Sequence, residues 1–153
     1  MLGLLNISEA MSIAMHTCVW LADDPGRFHS ARQISAKLGL SPHHFAKVAQ
    51  QLVRTDILET ERGPAGGARL AKPPAKITIL DIYVAAGGNP IYTGCLLKHN
   101  ICKGNNCALG KLMAKENKRL AGLLKNVTLA NVVRSLKKNR IGQPRKENAL
   151  RAT

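Results

Sequence analysis

The stretch ISAKLGLSPHHFAKVAQQL, residues 34–52, restricts the fold more than any other part of the chain. Ser30 can cap a helix whose apolar side carries Ala31, Ile34, Ser35 and Leu38, and Gly39 stops it. One residue later Ser41 is a second N-cap, with Pro42 at the first helical position, where its missing N–H does no harm. Phe45, Val48, Ala49 and Leu52 then form an apolar stripe. Two short helices joined by a tight glycine turn are a helix-turn-helix signature.

The flanking segments extend this unit. Residues 8–22 read as a helix with Met11, Ala14, Met15, Cys18 and Ala22 on one face and Ile13, Thr17 and Trp20 on a second, broken by the DDPG turn, Asp23 to Gly26. After the helix-turn-helix, Ile57–Glu61 and Ala68–Ala71 are two short strands around a flexible GPAGG tip, which makes a wing. Pro73 and Pro74 end it, and Ile77–Ala86 is a short helix closed by Gly87 and Gly88. The fold class expected is mainly α with a small β-wing. Apolar residues make up 45% of the chain but aromatics only 3%, so an aliphatic core between helices is favoured over a sandwich or barrel.

Charge points to the partner. The net charge is +14, and a basic excess of this size suits a polyanion, here double-stranded DNA. Residues 1–94 carry 9 basic and 7 acidic side chains, while 95–133 and 134–153 each carry 7 and 1. A helix in the major groove presents the side opposite its core stripe, which here means His43, His44, Lys47 and Gln51. Gln can pair bidentately with adenine, and Lys can contact guanine or phosphate. Arg62 and Arg69 flank the wing tip and suit the minor groove or the backbone. Helix starts at Ser30 and Ser41 can hold phosphates on their free amides. The start MLGLLNISEA lacks the features of a secretion signal, and the uncharged run Ala10–Ala22 is too short to span a bilayer. A cytoplasmic protein with no membrane partner is expected, a compartment in which clustered cysteines are metal ligands or redox thiols rather than structural disulfides.

The C-terminal half changes pattern. Over 108–126 and just beyond, Leu109, Met113, Glu116, Leu120, Leu123 and Val127 recur at spacings of four and three. A narrow apolar seam on a long basic helix calls for a second copy, hence a homodimer. Thr128 caps a last short helix with Leu129, Val132, Val133 and Leu136, and residues from Lys137 onward are expected to be disordered. The expected organisation is a DNA-binding unit over 1–88, a cysteine loop over 89–107, dimerisation helices over 108–136 and a basic tail over 137–153.

The loop holds Cys95, Cys102 and Cys107, separated by six and four residues. Three thiolates on an irregular loop can wrap an iron–sulfur cluster with a fourth ligand from His16, His99 or Glu9. They can also hold zinc with one His, or remain free thiols that oxidise to a disulfide. Cys18 lies on the apolar stripe of the first helix and reads as a small core residue. No Gly-rich phosphate loop, paired acids in a cleft or Ser-His-Asp set is present, so no enzyme is expected.

The order of these elements resembles that of the Rrf-two family of bacterial regulators. The matching pieces are SIAMHTCVWLA at 12–22, ISAKLGLSPHHFAKVAQQL at 34–52 and ERGPAGGARLAKPPAKITILDIYVAAGG at 61–88. The resemblance implies a winged-helix dimer that binds operator DNA as a regulator, and for the cluster-binding members three cysteines in this loop. In a few members the first helix supplies a ligand at the position of His16, and an acidic one at the position of Ser12. Other members lack these cysteines, and CALGKL at 107–112 with Ala14–His16 look close to that group. The expectation is a homodimeric repressor responding to redox, nitric oxide or iron–sulfur status. The alternatives are a cluster-free regulator under a small molecule or protein partner, and a non-specific architectural DNA-binding protein.

Overall fold

The computed structural model describes residues 7–63, 66–90 and 107–141, with side chains described to 138. Three helices build the head: α1 (Glu9–Leu21), α2 (Ala31–Leu38) and α3 (Pro42–Arg54). Each start is fixed by a serine: Ser8 accepts from Met11 N, Ser30 from Gln33 N and Ser41 from His44 N, all at 3.2 Å. Gln33 returns a bond to Ser30 N at 2.9 Å and completes a capping box. Gly39 ends α2 with φ +66°, and Leu40 N reaches Ser35 O at 2.9 Å. This left-handed closure turns the chain directly into α3.

α1 is the central rod. Met11, Ile13, Ala14, Thr17, Cys18 and Leu21 are all buried, so the face through Met11, Ala14 and Cys18 and the second one through Ile13 and Thr17 are both covered. The cause is packing from several sides, since α2, α3, α4 and α6 all touch it. Cys18 is fully buried, and burial pushes its thiol up from 9.0 to about 12.

The wing is β1 (Leu58–Glu61) paired antiparallel with β2 (Gly67–Leu70), in the register Leu58 to Leu70 and Glu61 to Gly67. A single bridge from His29 to Ala68 adds the segment before α2 as a third edge. A Cβ on Gly67 would lie 2.2 Å from His29 O, so only glycine permits this approach.

After a 3-10 turn at Pro74–Lys76, α4 (Ile79–Ala85) starts from a second capping box, Thr78 with Asp81. α5 (Ala108–Asn126) packs on α4 and is tied to the end of that segment by Asn117, whose side-chain amide donates to Pro90 O at 2.7 Å. α6 (Leu129–Ile141) does not stay with α5. Ile79 N donates to Val127 O at 2.9 Å and Leu129 N to Ile77 O at 2.8 Å, which brings the chain back to the head. Leu129 is fully buried in the core there. Residues grouped by sequence with the dimer helix thus help to build the DNA-binding body.

Residues 137–141 correct one expectation. They continue α6 as KKNRI rather than starting an irregular tail, because the first breaker is Gly142. Lys137 Nζ also lies 2.8 Å from Asp23 Oδ1 in the turn after α1.

Candidate nucleic-acid interface

The core stripe of α3 is Phe45, Val48 and Leu52, all buried. At 3.6 residues per turn, Lys47, Gln50 and Arg54 fall within about 40° of His43 around the helix. All four are exposed, so they form one outward row along the helix. His44 and Gln51 are exposed as well but sit about 100° and 80° round from His43. His44 leans to the first helix, with Nδ1 3.7 Å from Glu9 Oε1. The sequence reading named His43 and Lys47 of this row and did not name Gln50 and Arg54. Counting four, seven and eleven residues from His43 would have found them. Arg32 and Lys37 are exposed basic residues on α2.

Between α3 and the wing runs a groove of about 440 Å³, with Ala49, Val53 and Ala68 in its walls and Gln50 and Arg54 among its lining residues. Arg62, at the end of β1, is exposed. Ser30 and Ser41 spend their hydroxyls as caps, which leaves the amides of the first turns as the donors available to an anion.

Arg69 has partners within the head. Its Nε lies 2.5 Å from Glu59 Oε1, its Nη1 donates to Gly26 O at 3.1 Å, and its guanidinium sits 4.3 Å from the centre of the Phe28 ring. The pairing register puts Glu59 directly opposite Arg69, so these two side chains meet across the wing. Arg69 fastens the wing to the turn before α2.

The metal-ligand set divides. Cys95, Cys102 and His99 lie outside the described residues. Cys107 is half-buried and is the N-cap of α5, its Sγ accepting from Gly110 N at 3.3 Å. His16 is exposed, with Nδ1 2.7 Å from Ser12 O. It lines a cavity whose α5 wall is Asn117, Leu120 and Leu124. Cys107 is not part of that wall and lies ten residues, or about 15 Å along the helix, before Asn117. Glu9, the other ligand candidate on the first helix, faces His44. Among the described residues no three His, Cys, Asp or Glu side chains converge.

The outward face of α5 is apolar. Leu109, Leu112, Met113, Leu123 and Val127 are all exposed, Leu123 at 57%. Leu120, one of the expected seam residues, is half-buried and turns to the cavity instead.

A capped reading helix, a glycine-hinged wing and a basic face define a winged helix-turn-helix DNA-binding transcription regulator. The chain belongs to the Rrf2 (Rrf-two) family, whose model, described as an iron-dependent transcriptional regulator, matches residues 7–135. Among relatives, BadM of Rhodopseudomonas palustris, a putative HTH-type transcriptional regulator, is 37% identical over 51% of this chain. That match spans only 50% of BadM, about half its length. YwgB of Bacillus subtilis is 31% identical over 68% of each chain, and the regulator IscR of Serratia proteamaculans is 28% identical over 86% of this chain and 76% of its own. Of solved structures, CymR, the global cysteine regulator of B. subtilis, superposes with a TM-score of 0.73 at 21% identity, over 86% of this chain and 98% of that one. IscR of T. potens gives 0.74 at 21%, over 92% and 94%. The family consists of regulators rather than enzymes, and no described helix is long and apolar enough to cross a membrane.

Proposed function

We propose that the chain is a homodimeric repressor that reads a two-fold operator in duplex DNA, with the loop bearing Cys95, Cys102 and Cys107 setting its affinity. The observation that carries the reading is the outward face of α5. Four large apolar side chains on one 19-residue helix, and Val127 at its C-cap, stand in water. A second copy related by a two-fold axis buries the same face from both sides. The axis then sets the spacing of the two α3 helices, and half-sites fall about one helical turn apart or a small multiple.

His43, Lys47, Gln50 and Arg54 are the base-reading group in this proposal, joined by His44 and Gln51 on the flank. Arg62 acts at the wing, and the starts of α2 and α3 at Ser30 and Ser41 hold phosphate. The loop over 91–106 joins Pro90, which accepts from Asn117, to Cys107, which caps α5. Both ends bear on α5, so a change in the loop acts where the dimer is held. An iron–sulfur cluster bound by the three cysteines would supply a state that depends on redox chemistry, and Cys107 offers a half-buried thiol suited to such a ligand. The family model's description as iron-dependent supports this version.

The test combines sedimentation with competition binding on a selected operator. A dimer that prefers operator to random duplex by at least about a thousandfold is expected. A monomer, or equal affinity for both DNAs at physiological salt, would remove the proposal in favour of an architectural protein. Iron and sulfide analysis after anaerobic purification checks the cluster, and a colourless protein with unchanged operator binding in all three Cys→Ala variants would exclude it.

A further inference from the structure

We propose that the cavity between α1, α4 and α5 binds a small, neutral, largely apolar molecule that carries a hydrogen-bond donor, such as a phenol or an indole. Its occupancy modulates operator binding. This inference rests on the regulator reading above and names a control for it separate from the cysteine loop.

The cavity measures about 620 Å³, within the range of small-molecule sites. Met11, Met15, Ile79, Leu120 and Leu124 give it apolar walls, and the two methionines can adapt to an irregular ligand. A charged guest would lose its hydration against these walls without an ionic partner, which favours a neutral one.

The polar lining then fixes the sign of the hydrogen bond. His16 Nδ1 lies 2.7 Å from Ser12 O, and a carbonyl oxygen only accepts, so Nδ1 carries the proton. When the ring is neutral, Nε2 is left as an acceptor. The same logic orients Asn117, whose Nδ2 donates to Pro90 O at 2.7 Å and leaves Oδ1 as an acceptor. Ser12 and Tyr83 bring hydroxyls that can take either role. The fixed groups therefore ask for a donor, and a carboxylate would meet two acceptors.

The position suits control. The α1 wall belongs to the helix whose Glu9 faces His44 on α3 at 3.7 Å. The α5 wall belongs to the helix that carries the exposed apolar face. A guest between them touches both the reading head and the dimer helix.

The full chain labelled with ¹³C at methionine methyls is titrated with p-cresol, indole and benzoate. Saturable shifts at Met11 and Met15 are expected for the two neutral probes, with benzoate at least about tenfold weaker. Saturating p-cresol should change operator affinity by about threefold or more. Met15→Trp fills the cavity and should abolish both the Met11 response and the effect of p-cresol on operator affinity. Leu124→Phe is a second filling variant if the first does not fold. No saturable shift with either neutral probe, benzoate binding as tightly, or shifts unchanged in a folded filling variant would overturn the site. Shifts that appear only in the monomeric Leu123→Lys protein would mean that the second copy fills the cavity, and would also overturn it. Shifts with unchanged operator affinity would overturn the control role. A chain that binds p-cresol but no operator would instead remove the regulator reading, leaving the cavity result intact and its control role refuted.

Discussion

Ala68 on the second wing strand donates its amide to His29 O at 2.8 Å, and His29 N returns the bond to Ala68 O at 3.0 Å. This reciprocal pair fixes the wing to the segment that launches α2. The wing is therefore part of the reading head and moves with it.

Gly67 is the price of that pairing. Gly67→Ala places a Cβ 2.2 Å from His29 O at a backbone φ of +151°. The variant should lose roughly 2–4 kcal/mol of stability, measured by urea unfolding. Gly26→Ala, where a Cβ meets nothing within 4 Å, is the control and should stay within about 0.5 kcal/mol. Equal effects at both positions would contradict the close approach.

Arg54 and Lys47 should differ in kind. Arg54→Ala is expected to cost about 1–3 kcal/mol of operator affinity and to relax preference at one base pair. Lys47→Ala should weaken all duplexes alike and reduce the salt slope by about one. Competition assays across salt concentrations separate the two, and an Arg54→Ala protein with wild-type affinity and preference would take Arg54 out of the interface.

Arg69→Ala should act on the wing rather than on base preference. The Glu59 pair is partly exposed and so contributes only roughly 0.5–1 kcal/mol, and the Phe28 contact a similar amount. A double-mutant cycle with Glu59→Ala should show coupling in thermal unfolding. Altered preference at a base pair without any loss of stability would contradict the structural role.

Leu123→Lys, alone or with Met113→Lys, should give monomers in sedimentation, because both side chains stand on the open face of α5. Leu120→Lys should cost more stability than either, since Leu120 is half-buried against the cavity. A Leu123→Lys protein that remains dimeric would move the interface elsewhere.

Cys18 makes stability fall in alkali. Its thiol is raised from 9.0 to about 12 in the folded chain. Below the unfolded value both states hold the proton. Above it the unfolded state ionises while the folded one does not, so stability is lost as pH climbs from about 9 towards 12, by up to about 1.4 kcal/mol per unit. Cys18→Ala should flatten that part of the unfolding-against-pH curve. In the native protein Cys107 should react with a thiol reagent well before Cys18, as mass spectrometry can follow.

Much of the head was legible because its signals are local. The serine caps, Pro42 and the left-handed Gly39 act within a few residues, so the sequence alone locates α2, α3 and the turn between them. The two wing strands follow from two short runs around a glycine tip, and the apolar spacing of α5 announces its open face. The sequence by itself thus determined the helix-turn-helix, the wing and the membership of the family.

Only the tertiary structure decided the rest. The role of Arg69 depends on Glu59, Gly26 and Phe28, which lie 10 to 43 residues away and meet it through the wing pairing and the turn before α2. Which neighbours cover the two apolar sides of α1 depends on helices that arrive later in the chain, with Leu129 of α6 among the core residues. The division of α5 between Leu120 in the cavity and Leu123 in the open depends on where α1 and α4 stop covering it. Periodicity reports that a helix has an apolar face, but the neighbour that covers each part of that face is set by long-range packing, which no local pattern encodes.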